Sequence, residues 1–118
     1  MEVYSLPDAN NAQLDTLPFG IIRLGHDNRI IAYNRWESDF AQRDPDKVIG
    51  KCFFTEVAPC TNVRSFHGVV RRLQDAGVSN ACEFDFVFEF DHGYVMVFIQ
   101  AIYNATNNTT LLLVQQKQ

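Results

Sequence analysis

Three side chains in this 118-residue chain are of types that could act together: Tyr33, Glu37 and Cys60. Tyr33 closes the apolar run RIIAY (29–33), and Glu37 lies about one helical turn beyond it. A carboxyl turned into an aromatic interior keeps its proton, because burial disfavours the charged form. It can then donate a hydrogen bond, as the Tyr33 hydroxyl can. Two neutral donors converging inside an apolar core are what a buried anion needs. Glu37 has a plainer reading beside this one. Asn34 fits a helix N-cap, and three residues on is where a capping-box or solvated surface acid would sit.

Cys60 stands in VAPCT (57–61), between a proline and a threonine. A buried cysteine is by itself a small hydrophobe. Here Pro59 restrains the neighbouring backbone, and Thr61 or Asn62 is expected to cap a following helix. Cys60 would then feel the positive end of the helix dipole, where unpaired N–H groups stabilise a thiolate or an acyl oxygen. Cys52, at the start of an FF turn, and Cys82, in a strand, have no such setting. Arg43 reads equally as a lid over a pocket and as a surface arginine.

The composition narrows the classes. Ten Lys plus Arg against fourteen Asp plus Glu give a net charge of −4, which argues against a nucleic-acid surface. Nothing favours a membrane: no apolar run is long enough to span one, and the first residues lack the basic and apolar regions of a signal peptide. Three widely spaced cysteines form no metal-finger pattern and suit free thiols in a reducing cytoplasm. His26, His67 and His92 have no cysteine or carboxylate at ligand spacing, so no metal is expected. A cysteine-dependent enzyme would need a base beside Cys60. The only histidine near it is His67, placed on the outer side of the expected helix.

The elements that must position these residues follow from the pattern. GIIRL (20–24) and RIIAY (29–33) are β-branched runs around GHDN, a hairpin. Arg35 to about Ala41 reads as a short helix. Asp44 and Pro45 start another turn that Gly50 ends. CFFTEVAPC (52–60) is a compact apolar turn. Val63, Phe66, Val69, Val70, Leu73 and Ala76 recur at helical spacing and predict a longer helix that Gly77 stops. Three strands follow, at 81–90, 94–103 and 111–116. Residues 1 to about 15 are polar and read as an N-terminal cap or tail rather than a core element. Residues 16–118 then form a single domain. Its class is α+β: a five-stranded antiparallel sheet with short helices and one longer connecting helix on one face, an order that resembles the PAS fold. A fold of that kind serves sensing or interaction and does not settle function.

Several fragments together carry a narrower resemblance. LD-x-LPFGIIRL (14–24), YN-x-x-E (33–37), RDP (43–45) and VIGK-x-FF-x-x-VAPCT (48–61) resemble the photoactive yellow proteins, bacterial blue-light sensors. The similarity runs without gaps from about residue 13 to about residue 77, and more loosely beyond. It implies p-coumaric acid (4-hydroxycinnamic acid) held covalently as a thioester on Cys60. It implies that Tyr33 and Glu37 donate hydrogen bonds to the chromophore's phenolate, that the Cys60 N–H bonds the thioester carbonyl, and that Arg43 covers the site. Ala41, Phe53, Pro59, Thr61, Phe86 and Phe88 complete the implied binding set. Light would isomerise the chromophore, Glu37 would give up its proton, and the N-terminal region would loosen before dark recovery. The expected partner is a downstream signalling protein, reached non-covalently by a monomer or weak dimer, with neither nucleic acid nor membrane.

The chain also departs from that family's pattern. Ala41 stands where a threonine commonly supports the tyrosine. Phe84 stands where a tyrosine is frequent, and Phe90 where a methionine is. The N-terminal segment and the 81–94 stretch read as shortened. The competing reading is a PAS interaction module with no covalent chromophore. Cys60, Tyr33 and Glu37 together discriminate between the two.

Overall fold

The computed structural model describes residues 11–117. Five strands form one antiparallel sheet: β1 (Gly20–Leu24), β2 (Ile30–Tyr33), β3 (Asn80–Phe90), β4 (Gly93–Asn104) and β5 (Thr109–Gln116), in the spatial order β2-β1-β5-β4-β3. β1 pairs with both β2 and β5, and so lies inside the sheet. Its β-branched residues suit a strand packed on both faces. The turn between β1 and β2 uses Asp27 and Asn28 at φ of 56° and 60°, which short polar side chains tolerate. β3 and β4 pair from Asn80↔Tyr103 to Phe90↔Gly93, so Asp91 and His92 alone form the loop.

The two faces of the sheet are covered differently. On one, Ile22, Leu24, Val97, Ile99, Leu112 and Val114 pack against Phe53, Phe54 and Phe66 from the helical side. On the other, Ile21, Ala32, Leu111 and Leu113 pack around Leu14. Leu14 comes from the helical turn α1 (Asn11–Leu14) and is 1% exposed. This corrects the reading of residues 1 to about 15 as a tail outside the core: the end of that segment is core. The remainder, residues 1–10, lies outside the described residues.

Helix α2 (Arg35–Ala41) begins where the sequence placed it. Asn34 is its cap, and the side chain does more than cap. Oδ1 accepts from Glu37 N (3.1 Å) and from Ile21 N (2.9 Å), while Nδ2 donates to the carbonyls of Leu14 (2.9 Å) and Phe19 (3.0 Å). One buried amide thus ties α2 to β1 and to the N-terminal segment. Replacing Asn34 with alanine should lower the unfolding free energy by about 2–4 kcal/mol, the sum of a lost cap and buried groups left unpaired. Urea unfolding measures this, and a loss below about 1 kcal/mol would mean that water replaces the amide.

Helix α3 (Pro45–Val48) starts at Asp44, whose side chain accepts from Asp46 N (2.9 Å), with Pro45 at the first position. A π-type turn (Phe53–Val57) and a 3-10 turn (Pro59–Thr61) follow. Helix α4 spans His67–Asp75, with Phe66 as its N-cap residue. It therefore starts five residues after Asn62, not at it. The chain bends first: Val63 O accepts from Phe66 N (3.1 Å) and Gly68 N (3.2 Å), which lets the fully buried Phe66 ring enter the core while Val63 stays 44% exposed. Asn62, rather than capping, accepts at Oδ1 from His67 Nδ1 (2.8 Å).

Candidate functional site

Tyr33, Glu37, Ala41, Arg43, Phe53, Pro59, Cys60 and Phe88 line one cavity of about 200 Å3. It is smaller than the ~300–1,000 Å3 of drug-sized ligand pockets, so it has room for a compact ligand. β2 delivers Tyr33, α2 delivers Glu37, the two turns deliver Phe53 and Cys60, and the inward face of β3 delivers Phe88.

Glu37 turns inward and is 2% exposed. The capping-box alternative fails for a specific reason: the Asn34 N–H that the carboxylate would cap already donates to Ile21 O (3.1 Å). Burial pushes the Glu37 carboxyl up to about 8, so it is protonated at neutral pH. Its Oε1 is buried and makes no hydrogen bond among the described residues. Burial also raises the Tyr33 phenol well above its ordinary range; Glu37 adds to the shift and Arg43 opposes it. Two neutral hydrogen-bond donors, the Tyr33 hydroxyl and the Glu37 carboxyl, therefore border the cavity, which fits a buried anionic ligand.

The raised carboxyl has a measurable consequence. From its ordinary value of 4.5 up to about 8, the folded protein keeps a proton here that the unfolded chain has released. Stability is therefore full below that window and falls as pH rises through it, by up to about 1.4 kcal/mol per pH unit. Urea unfolding of the ligand-free protein at about pH 5, 6.5 and 8 should show the decline, and Glu37→Gln should flatten it. Equal slopes in both proteins would place the titration elsewhere.

Arg43 follows Gln42, which ends α2 in the left-handed region at φ 56°. Its backbone is fastened to Ser38, whose Oγ donates to Arg43 O (2.5 Å). Its Nη2 donates to Val57 O (3.2 Å), so the side chain ties the end of α2 to the π-type turn, three residues before Cys60. Cys60 lies inside the 3-10 turn, and α4 begins seven residues later. The helix-dipole argument for Cys60 therefore does not hold. What the structure provides instead is a turn closed by Thr61 N and Oγ1, which donate to Ala58 O at 2.9 and 2.6 Å.

Two expected binding residues are not among those lining the cavity. Thr61 is fully buried and spends its hydroxyl on Ala58. Phe86 packs edge-on to Phe66 and Phe88, with ring centroids at 5.0 and 5.6 Å, one step along β3 from the cavity. Sequence reasoning missed Gln42, Val57, Ala58, Glu89, Asp91 and His92, all of which line it, and did not include Phe90 in the binding set. His92 stacks on Phe90 (4.8 Å, 11°), and Phe90 stacks on Phe88 (5.3 Å, 9°). The signal was present: the period-two alternation of 84, 86, 88 and 90, carried one step further, places 92 on the same face. Trp36 packs against the core and stacks on Phe40 (4.9 Å). His67 is partly exposed and stacks on Phe54 at 4.0 Å.

This sheet order, with helices on one face enclosing a small cavity, defines a sensory domain class. The PAS fold family model matches residues 14–81. The photoactive yellow protein of Rhodothalassium salexigens is 41% identical over 86 residues, 73% of this chain and 68% of that protein. The one from Rhodobacter capsulatus is 39% identical with the same coverage. The crystal structure of the photoactive yellow protein domain from the sensor histidine kinase Ppr of Rhodospirillum centenum superposes with a TM-score of 0.88 at 36% identity, covering 95% of this chain and 97% of that one. The chain belongs to the photoactive yellow protein family, within the PAS fold. Membership places it among sensory PAS photoreceptors. Among the described residues, no helix is long and apolar enough to cross a membrane.

Proposed function

We propose that this chain is a blue-light photoreceptor that carries p-coumaric acid as a thioester on Cys60. The observation that carries this reading is the meeting of the Cys60 turn with two neutral donors, Tyr33 and Glu37, in one cavity of about 200 Å3. The bound group supplies visible absorption and a double bond that light isomerises. The protein supplies the rest. Tyr33 Oη and the Glu37 carboxyl donate to the phenolate oxygen and hold its charge in a place where water cannot. Arg43 bridges α2 to Val57 and shields that charge.

After isomerisation, Glu37 passes its proton to the phenolate oxygen. That leaves a carboxylate in an apolar interior, a state that costs several kcal/mol. The first turn of α2 is tied to the N-terminal segment through Asn34 Nδ2 on Leu14 and Phe19, and through Arg35 N on Asp15 Oδ1 (2.8 Å). Relief of the buried charge strains these links, and the N-terminal region loosens. The newly exposed surface is what a cytoplasmic downstream signalling protein reads, with no part played by nucleic acid or membrane. Dark return of the proton to Glu37 restores the monomer or weak dimer to its starting state, so the chain is a switch without turnover.

The experiment is loading. Protein treated with activated p-coumaric acid should turn yellow, gain the mass of one coumaroyl group, and bleach reversibly in blue light. A colourless product with unmodified Cys60 would leave a PAS interaction module in its place.

A further inference from the structure

We propose that Gly20 is a positioning residue for Glu37: the niche left by its missing side chain seats one carboxyl oxygen against β1 and so sets how the acid addresses the cavity. A Cβ added at Gly20 would overlap Glu37 Oε1, and would lie 3.0 Å from Trp36 Cε3 and 3.1 Å from Val114 Cβ. The niche thus has walls from α2, β5 and the acid itself. Oε1 is the atom that is sealed there without a hydrogen-bond partner.

Backbone conformation does not explain this glycine. Gly50, Gly77 and Gly93 adopt φ of 86°, 74° and 133° and have open space where a Cβ would go. Gly20 has neither property. It lies in a strand, paired with Val114, where glycine forgoes packing and weakens the strand. Space is what it contributes. Trp36 is stacked on Phe40 and Val114 sits in the sheet core, so neither can yield readily. The Glu37 side chain is the group that can move. A methyl at position 20 would drive its carboxyl off β1 and toward the cavity, a wetter place in the ligand-free protein.

The effect on a chromophore rests on the photoreceptor reading above; the effect on Glu37 does not. The test therefore starts with ligand-free protein. A 13C-carboxyl titration should show the Glu37 midpoint falling by about one unit in Gly20→Ala, a tenfold rise in its acid dissociation constant. An unchanged midpoint would overturn the proposal. Thermal unfolding in a second background keeps the question open if Gly20→Ala is unstable. In Glu37→Ala protein the overlapped atom is gone, so the added methyl should cost clearly less stability than in the parent. Equal loss in both backgrounds, or failure of both variants to fold, would overturn it. Loaded with p-coumaric acid, Gly20→Ala should also shift the absorption maximum. Failure of the parent protein to take colour would sink the photoreceptor reading while the carboxyl titration still decided the role of Gly20.

Discussion

Cys60→Ala protein exposed to activated p-coumaric acid is expected to gain no mass and no colour. Acylation needs a thiolate that reaches an acyl carbon held in the cavity, and Cys60 is the cysteine that lines it. Cys52 and Cys82 are half-buried free thiols and do not. Cys82 lies in β3, and burial raises its thiol, leaving less thiolate at neutral pH. Cys52→Ala and Cys82→Ala should therefore load like the parent protein. The fold should survive Cys60→Ala, because removing one partly exposed sulfur leaves little cavity and costs about 1 kcal/mol or less. The contrast is close to all or none, and mass spectrometry reads it directly. A coumaroyl adduct on another cysteine, or yellow colour without an adduct, would refute the assignment of Cys60.

Glu37→Gln should keep the yellow dark state and lose most of the light-driven conformational change. The Gln amide still donates a hydrogen bond to a phenolate, but it has no proton to give. Exchanging a carboxyl donor for a weaker amide donor destabilises the bound phenolate by about 1–2 kcal/mol, which raises its pKa by about one unit. The absorption maximum should move to longer wavelength, since a less tightly held charge delocalises more readily. The larger effect comes after illumination. In the proposed photocycle, a buried carboxylate costing several kcal/mol would drive the parent structure open. In Glu37→Gln no such charge forms, so light-induced amide hydrogen exchange around residues 14–19 should fall by about tenfold or more. The illuminated parent should lose an infrared carboxyl band, and that loss should be missing from the variant's difference spectrum. Undiminished exchange would show that the opening does not depend on Glu37.

Much of the scaffold was legible because local rules act within a few residues. The Asp27–Asn28 turn, the Asn34 cap, the Asp44-Pro45 helix start and the period-two pattern of β3 each state their geometry over a short span. Where contacts from distant segments compete, local rules failed. The apolar spacing from Val63 onward predicts a helix from its first residue, yet the chain bends until Phe66 reaches Phe53, Phe84 and Phe86. The polar composition of the first residues reads as a tail, yet Leu14 fills the far face of the sheet.

For the site, the sequence by itself determined which residues were available and how far apart they stood: Tyr33 and Glu37 one turn apart, and Cys60 beside Pro59 in a turn. Tertiary structure alone decided which way the acid points. Glu37 turns inward because Ile21 O has taken the N–H it would otherwise cap, and Gly20 leaves room to seat its Oε1 against β1. It also decided what closes the cavity, through the Phe88–Phe90–His92 stack and the Arg43 bridge to Val57. The Ile21, Gly20 and Val57 contacts join residues 13 or more apart, which no local pattern encodes, whereas the stack follows the alternation of one strand.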